Sequence, residues 1–203
     1  MRQYPSDVAF TPSVKAIQVA KGSRATYSRV EWGAGWATTV TPDLAGFVAS
    51  LDMFYLGTAS AEGQPYIQYR GGPPGFLKVV DERTLAFADF GGNRQYITLG
   101  NLAENPRAFL FLMDYAGQRR IKVWGTARVV EDDPALLASL VDPAYPGRPE
   151  RAIVVAVEAW DMNCPQHIHA RFLATEVIPV VQELRDRIAQ LEAELAARPP
   201  APG

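Results

Sequence analysis

Six or seven short β-forming runs, each closed by a tight-turn signal, limit what this chain can fold into more than any other feature. The runs fall at 54–60, 66–69, 76–80, 84–90, 108–115, 120–130 and 152–159, all rich in Val, Ile, Phe, Tyr, Leu and Ala. Ala61-Glu62-Gly63-Gln64, Asp81-Glu82-Arg83 and Ala116-Gly117-Gln118 supply the turns between them. Only three short helical patterns interrupt. Thr41-Pro42 starts the first, with Thr41 as N-cap and Pro42 in the first turn; its Leu44, Phe47, Val48 and Leu51 share one face. A second covers 95–105 and ends at Asn105-Pro106; a third covers 133–141 and starts at Asp133-Pro134. Many strands, tight turns and few helices predict a mainly β (α+β) fold, a small barrel or sandwich.

The flanks differ from this centre. Residues 1–40 read as an N-terminal arm, with one helical stretch at 14–19 and no apolar period through 23–37. Beyond 174, Val177, Val181, Leu184, Ile188, Leu191 and Leu195 recur at 4-3-4-3-4 spacing, with Glu183, Arg185, Asp186, Arg187 and Glu192 off the stripe. Such a stripe suits a helix packed on its own domain or one that pairs with a second subunit. The predicted organisation is an arm at 1–40, a β domain at 41–174, an amphipathic helix at 175–198 and a frayed tail at 199–203.

Composition excludes several classes. Hydrophobic residues make up 48% of the 203 and charged residues 21%, and the net charge of −2 offers no basic surface for nucleic acid or an anionic membrane. No apolar run nears the ~20 residues needed to span a bilayer, and Met1 to Asp7 lack the apolar core of a signal peptide. Cys164 is the only cysteine, so no intrachain disulfide can form, and a reduced, cytoplasmic location is expected.

Chemistry concentrates in two loops. Arg70-Gly71-Gly72-Pro73-Pro74-Gly75-Phe76-Leu77-Lys78 flanks its glycines with cations, and Gly91-Gly92-Asn93-Arg94-Gln95 leads into the second predicted helix. Glycine lets a backbone approach a flat or anionic ligand, arginine offers a planar fork for phosphate, and a helix start adds free N–H groups. Together they point to a phosphorylated ligand, although turns and bulges use the same residues. Arg120 and Lys122 share a strand face with Trp124. Asn163-Cys164-Pro165-Gln166-His167-Ile168-His169 holds the only cysteine and both histidines. Three readings apply to it: an incomplete metal site, a Cys–His pair lacking an orienting group, or the polar edge of a pocket. The last is favoured. Asp89, Asp114, Asp132 and Asp133 read as turn or cap residues rather than a catalytic pair.

These motifs resemble a known family. Gly57-Thr58-Ala59, Gly63-Gln64-Pro65, the Arg70 to Lys78 loop, Leu85-Ala86-Phe87, Gly92-Asn93-Arg94-Gln95, Asn101-Leu102-Ala103-Glu104-Asn105-Pro106 and Lys122-Val123-Trp124-Gly125-Thr126-Ala127 look like the pyridoxamine 5′-phosphate oxidase-like, FMN-binding split barrels. The likeness covers roughly 40–172 and is nearest an uncharacterised bacterial branch. It implies a six-stranded split β-barrel that forms a homodimer, with FMN in two clefts at the subunit interface. Arg70, Lys78, Asn93, Arg94, Gln95, Arg120, Trp160 and Arg171 occupy the places of the family's flavin-binding residues.

Several positions depart from the family pattern. Of the Ser-Arg-Lys phosphate triplet only Arg94 is kept, and Ala88-Asp89 replaces a Tyr-Thr pair. The Tyr…Arg…Ser set that grips substrate phosphate in the oxidase proper has no match between Glu131 and Glu150. The resemblance therefore implies an FMN-dependent oxidoreductase acting on some small molecule other than pyridoxamine phosphate, with NADH or NADPH as a candidate electron donor. His167 and His169 are then the candidate proton donors. A non-catalytic flavin-binding sensor or carrier, and a barrel holding deazaflavin or haem, are the alternatives.

Overall fold

The structure, a computed structural model, describes residues 3–33, 35–163 and 166–197. After a 3₁₀ turn at Pro5–Val8, the chain forms α1 (Pro12–Ala20), α2 (Arg24–Trp32) and α3 (Pro42–Ser50). The β region holds β1 (Met53–Ala59), β2 (Pro65–Gly71), β3 (Lys78–Asp81) and β4 (Thr84–Phe90), followed by α4 (Ile97–Glu104), β5 (Arg107–Asp114) and β6 (Arg119–Val130). Then come α5 (Pro134–Leu140), β7 (Pro149–Asn163) and α6 (Ala174–Ala196). No helix among the described residues is long and apolar enough to cross a membrane.

All seven strands join one antiparallel sheet in the order β2-β1-β5-β6-β7-β4-β3. The family resemblance implies six strands; the seventh is β3, a four-residue arm hairpinned onto β4. Alternation along β1, β4, β5, β6 and β7 sends Phe54, Leu56, Leu85, Phe87, Leu110, Leu112, Ile121, Val123, Ile153 and Val155 into one core. A single core fed from both ends of the sheet requires the sheet to roll up. Helix α3 plugs it with Leu44, Phe47 and Val48, and the Thr41 hydroxyl accepts the Leu44 N–H at 3.4 Å to cap its start.

Two glycines are dictated by close approach. β6 shifts register against β7 at Trp124/Gly125, where a β-carbon on Gly125 would collide with the Ala156 carbonyl oxygen. Gly75 adopts φ +74, and a β-carbon there would stand 2.9 Å from the Ala49 carbonyl oxygen on α3. The Gly75 N–H donates to Leu51 O at 2.7 Å and the Gly72 N–H to Asp52 O at 3.0 Å. The loop after Arg70 is rigid, as its sequence implies, but these two amides fasten it to the end of α3.

Residues 23–37, which lack an apolar period, nevertheless contain α2, and the reason is electrostatic. The Glu31 carboxylate is buried, bonded to Arg24 and 3.3 Å from Lys15 on α1. Phe10 packs on Tyr27 and Trp36, and Trp36 stacks on Trp124 of β6 with centroids 4.6 Å apart. On β7, the Trp160 backbone N–H donates to Ala37 O at 2.9 Å and its indole N–H to Thr39 O at 2.7 Å. The expected arm is therefore a helical cap docked on the outer face of β6 and β7.

Asp7 fastens the start of this cap. Its carboxylate accepts a 2.6 Å hydrogen bond from Lys15 Nζ, and the Gln3 and Tyr4 N–H groups add two more. The Lys15 bond is the main cause that holds its pKa at about 2, against an ordinary 3.8, with burial opposing. A depressed folded pKa stabilises above the unfolded value and is lost as pH falls toward the folded one. Acidification from about pH 4 to about pH 2 is expected to loosen the cap, read by tryptophan fluorescence and limited proteolysis. Asp7→Asn should be loosened already at neutral pH and should lack that component of the acid transition.

Candidate functional site

The end strand β2 and the penultimate strand β4 of the rolled sheet meet through side chains. Among the described residues no backbone ladder joins β2 to β4. Instead Arg70 on β2 ion-pairs with Asp89 on β4, and its guanidinium lies 5.7 Å from the Phe87 ring centre. Arg151 on β7, paired in register with Asp89, reaches the other carboxylate oxygen at 3.1 Å. It also meets Glu131 at 2.7 Å and Glu150 at 3.0 Å. Burial works against the Arg151 charge, but the bonds to Glu131 and Asp89 outweigh it and raise its pKa above the ordinary value.

Beside this seam lies a cleft of about 250 Å³ that brings together Arg70, Asn93, Arg94 and Gln95. Its other walls include Tyr66, Gln68, Asp89, Glu150, Arg151 and the first turn of α4. The loop entering α4 is wound tightly: Arg94 has φ 58 and Tyr96 φ 55, a left-handed conformation that non-glycine residues rarely adopt. Asn93 Oδ1 accepts the Gln95 N–H at 3.2 Å, and the Gly91 N–H donates to Arg148 O at 2.9 Å. Tyr96 occupies the N-cap of α4 without a side-chain capping bond, and Ile97, Thr98 and Leu99 of that first turn line the cleft. The helix starts at Ile97 rather than 95, because Arg94 and Tyr96 are in the left-handed region. Thr98 donates its hydroxyl proton to Gln68 at 2.6 Å and ties the helix to β2.

Charge is unevenly committed here. Asp89 neutralises Arg70 and Arg151, whereas Arg94 forms no ion pair among the described residues. Arg70 also keeps a buried Nε without a hydrogen-bond partner. The arrangement can receive a small anion on Arg94, the α4 amides and the spare edge of Arg70.

The remaining sequence candidates lie elsewhere on the chain. Lys78 begins β3 opposite Ala86, on the strand face that packs toward α5 and away from Asp89. Arg120 sits on β6 opposite Met113, also with a buried, unpartnered Nε. Trp160 anchors the N-terminal cap. Arg171 lies 4.9 Å from the centre of the Tyr115 ring in a separate groove of about 660 Å³, where Tyr55, Tyr69 and Tyr115 line the wall. The Tyr55 and Tyr115 hydroxyls stand 3.4 Å apart, and that hydrogen bond is the first cause raising the Tyr115 pKa, ahead of burial. His167, at φ 66, and His169 are both exposed, flanking Ile168, which is buried against Met53 and Met113. Cys164 and Pro165 lie outside the described residues.

Sequence reasoning missed Asp89 and Arg151. Asp89 is neither a turn nor a cap residue: it points inward from a strand at 4% exposure. Alternation carried the signal, since Leu85, Phe87 and Asp89 share a parity, and an inward carboxylate requires a cation.

A rolled antiparallel sheet closed by side chains, with an arginine-bearing cleft at its seam, is the FMN-binding split-barrel fold. Residues 40–164, more than half of the chain, match the sequence profile described as pyridoxamine 5′-phosphate oxidase, and the chain belongs to that family. No curated protein matches it. HupZ from Group A Streptococcus is similar in fold, at 16% identity over 65% of this chain and 98% of that one, with a TM-score of 0.50. An FMN-binding protein from Syntrophomonas wolfei is 12% identical over 72% and 97%, TM-score 0.48. A Clostridium acetobutylicum protein related to general stress protein 26, of the pyridoxinephosphate oxidase family, is 17% identical over 65% and 92%, TM-score 0.40.

Removing Asp89 leaves two buried arginines without their shared carboxylate. Asp89→Ala is expected to lose about 3–5 kcal/mol of stability in urea unfolding. A variant within about 1 kcal/mol of the parent would show that the seam does not depend on this pair.

Proposed function

We propose that the protein is a homodimeric FMN-binding flavoprotein, an FMN-dependent oxidoreductase for a small molecule, with the flavin phosphate held in the Arg94 cleft. The observation that carries this reading is Arg94: a left-handed backbone position beside an uncapped helix start, with a guanidinium that forms no ion pair among the described residues. The spare Arg70 Nε and the Asn93 and Gln95 side chains complete a donor set suited to a phosphate and the polar chain attached to it. At about 250 Å³ the cleft falls below the 300–1,000 Å³ usual for a whole drug-sized ligand. The ring system therefore needs a second wall. Arg120, Trp160 and Arg171, distributed away from this cleft, are the residues a second subunit would bring to it, with each copy serving the other.

Bound flavin would supply the hydride and electron chemistry; the protein orients it, shields one face and tunes its ring. Arg94 and the α4 amides hold the phosphate. Asp89 fixes Arg70 and Arg151 so that the cleft is already formed before the ligand arrives. His167 and His169, exposed near the Arg171 groove in sequence, are candidates for moving a proton at the substrate side.

The first test is the visible spectrum after purification, FMN addition and desalting. A retained flavin band near one per chain is expected, and a colourless protein that takes up none would overturn FMN in favour of deazaflavin, haem or no such cofactor. Arg94→Ala should weaken FMN binding about tenfold or more, measured by fluorescence quenching titration. Bleaching of bound flavin by NADH or NADPH under anaerobic conditions separates an oxidoreductase from a flavin-holding sensor or carrier.

The helix that would have to grip a substrate phosphate, α5, packs instead with Leu140 against Ala86, Ala88, Val130 and Ala152, beneath the sheet. The FMN-loaded protein is therefore expected not to oxidise pyridoxine or pyridoxamine 5′-phosphate. Steady turnover of either, followed by oxygen uptake, would contradict this.

A further inference from the structure

Helix α6 runs for 23 residues and buries none of them. Val177, Val181, Leu184, Ile188, Leu191 and Leu195 stand 38–63% exposed along one stripe. A single helix of this length, about 35 Å, gains little from its own hydrogen bonds in water and depends on a covered apolar face. The stripe assigns heptad positions without ambiguity: Val181, Ile188 and Leu195 fall at a, and Val177, Leu184 and Leu191 at d.

We infer that α6 pairs with α6 of a second copy of this chain, parallel and in register, as a two-stranded coiled coil. Three observations select that occupant. First, β-branched Val181 and Ile188 at a, with Leu184 and Leu191 at d, form the combination that favours two parallel strands. Second, the flanking charges fit the parallel arrangement. Arg187 at g of one helix meets Glu192 at the following e of the other, and the contact occurs twice by symmetry. An antiparallel pair that kept all six apolar layers would instead set Arg185 against Arg185 and Arg187 against Arg187. Third, features that would spoil a seam lie off it. Pro179 occupies f, and the Gln182 to Asp186 hydrogen bond, at 2.8 Å, lies on the outer b and f face. Ile178 and Val180, at e and g of the first heptad, widen the apolar contact where the helix leaves the barrel.

The arrangement also fits the topology. Ten residues separate β7 from α6, so two barrels related by a twofold axis can send both helices out on the same side. Tethering makes the pairing intramolecular once the barrels have met, which strengthens a coil too short to hold alone.

The test uses the full chain in a Cys164→Ser background, with one new cysteine at Val181→Cys or Leu191→Cys. Parallel, in-register helices bring each new thiol against its own counterpart. Mild oxidation should then convert most of either variant to a covalent dimer on a non-reducing gel, and adding Ile188→Asp should cut the yield at least tenfold. Cross-links that appear only when the two cysteine variants are mixed would mean antiparallel helices and overturn the inference. So would a monomeric band, or a yield that Ile188→Asp leaves unchanged. The gel reads the helices alone. A dimer mass in solution without a cross-link would sink the coil while leaving the barrel dimer intact, and the reading does not depend on whether flavin is bound.

Discussion

Asp89 holds two arginines that reach it from different strands, and one of them comes from the far end of the sheet. An inward carboxylate on a strand costs stability unless a cation meets it, and two cations side by side without it would repel. Placing the three together satisfies both conditions and converts an open seven-stranded sheet into a closed barrel. The cleft follows from that closure, since the seam brings the Arg94 loop beside Arg70 and the start of α4. Among the described residues, Arg94 is the one arginine lining the cleft without an ion pair, while Arg70 and Arg151 are tied to Asp89.

Much of the barrel was legible because its period is simple. Alternation gave the strands, Thr41-Pro42 and Asn105-Pro106 bounded helices, and Gly92-Asn93-Arg94 lay at the cleft. Other features were hidden for identifiable reasons. α2 is held by Arg24, Lys15 and Glu31 rather than by an apolar stripe, so a search for periodicity passes over it. The glycines after Arg70 resemble a ligand loop, yet Gly72 and Gly75 direct their amides at α3. That choice depends on where α3 ends, which no local pattern records. The partners of Asp89 are 19 residues before it and 62 after it, beyond the reach of any motif.

The family match spans 40–164, and the helical cap and α6 lie almost entirely outside it. The barrel is thus a shared frame with two additions. One is docked by Trp36 against Trp124 and by the Trp160 hydrogen bonds. The other projects with its apolar face uncovered. Trp160, which the resemblance assigns to flavin, has its indole N–H committed to the Thr39 carbonyl of the same chain, so any flavin contact would use the ring face and not that donor.

The two free margins of the sheet are unalike in a way that bears on solubility. β2 opens with Pro65, which has no N–H to offer, and near its end Arg70 crosses the seam to Asp89. β3 is four residues long, slips register between Val79 and Asp81, and ends on the charged Asp81 before the Glu82-Arg83 turn. The β3 margin therefore offers no long straight row of unpaired amides to a stranger's strand. At the β3 margin a newly made barrel is therefore refused as the next rung of a growing fibre.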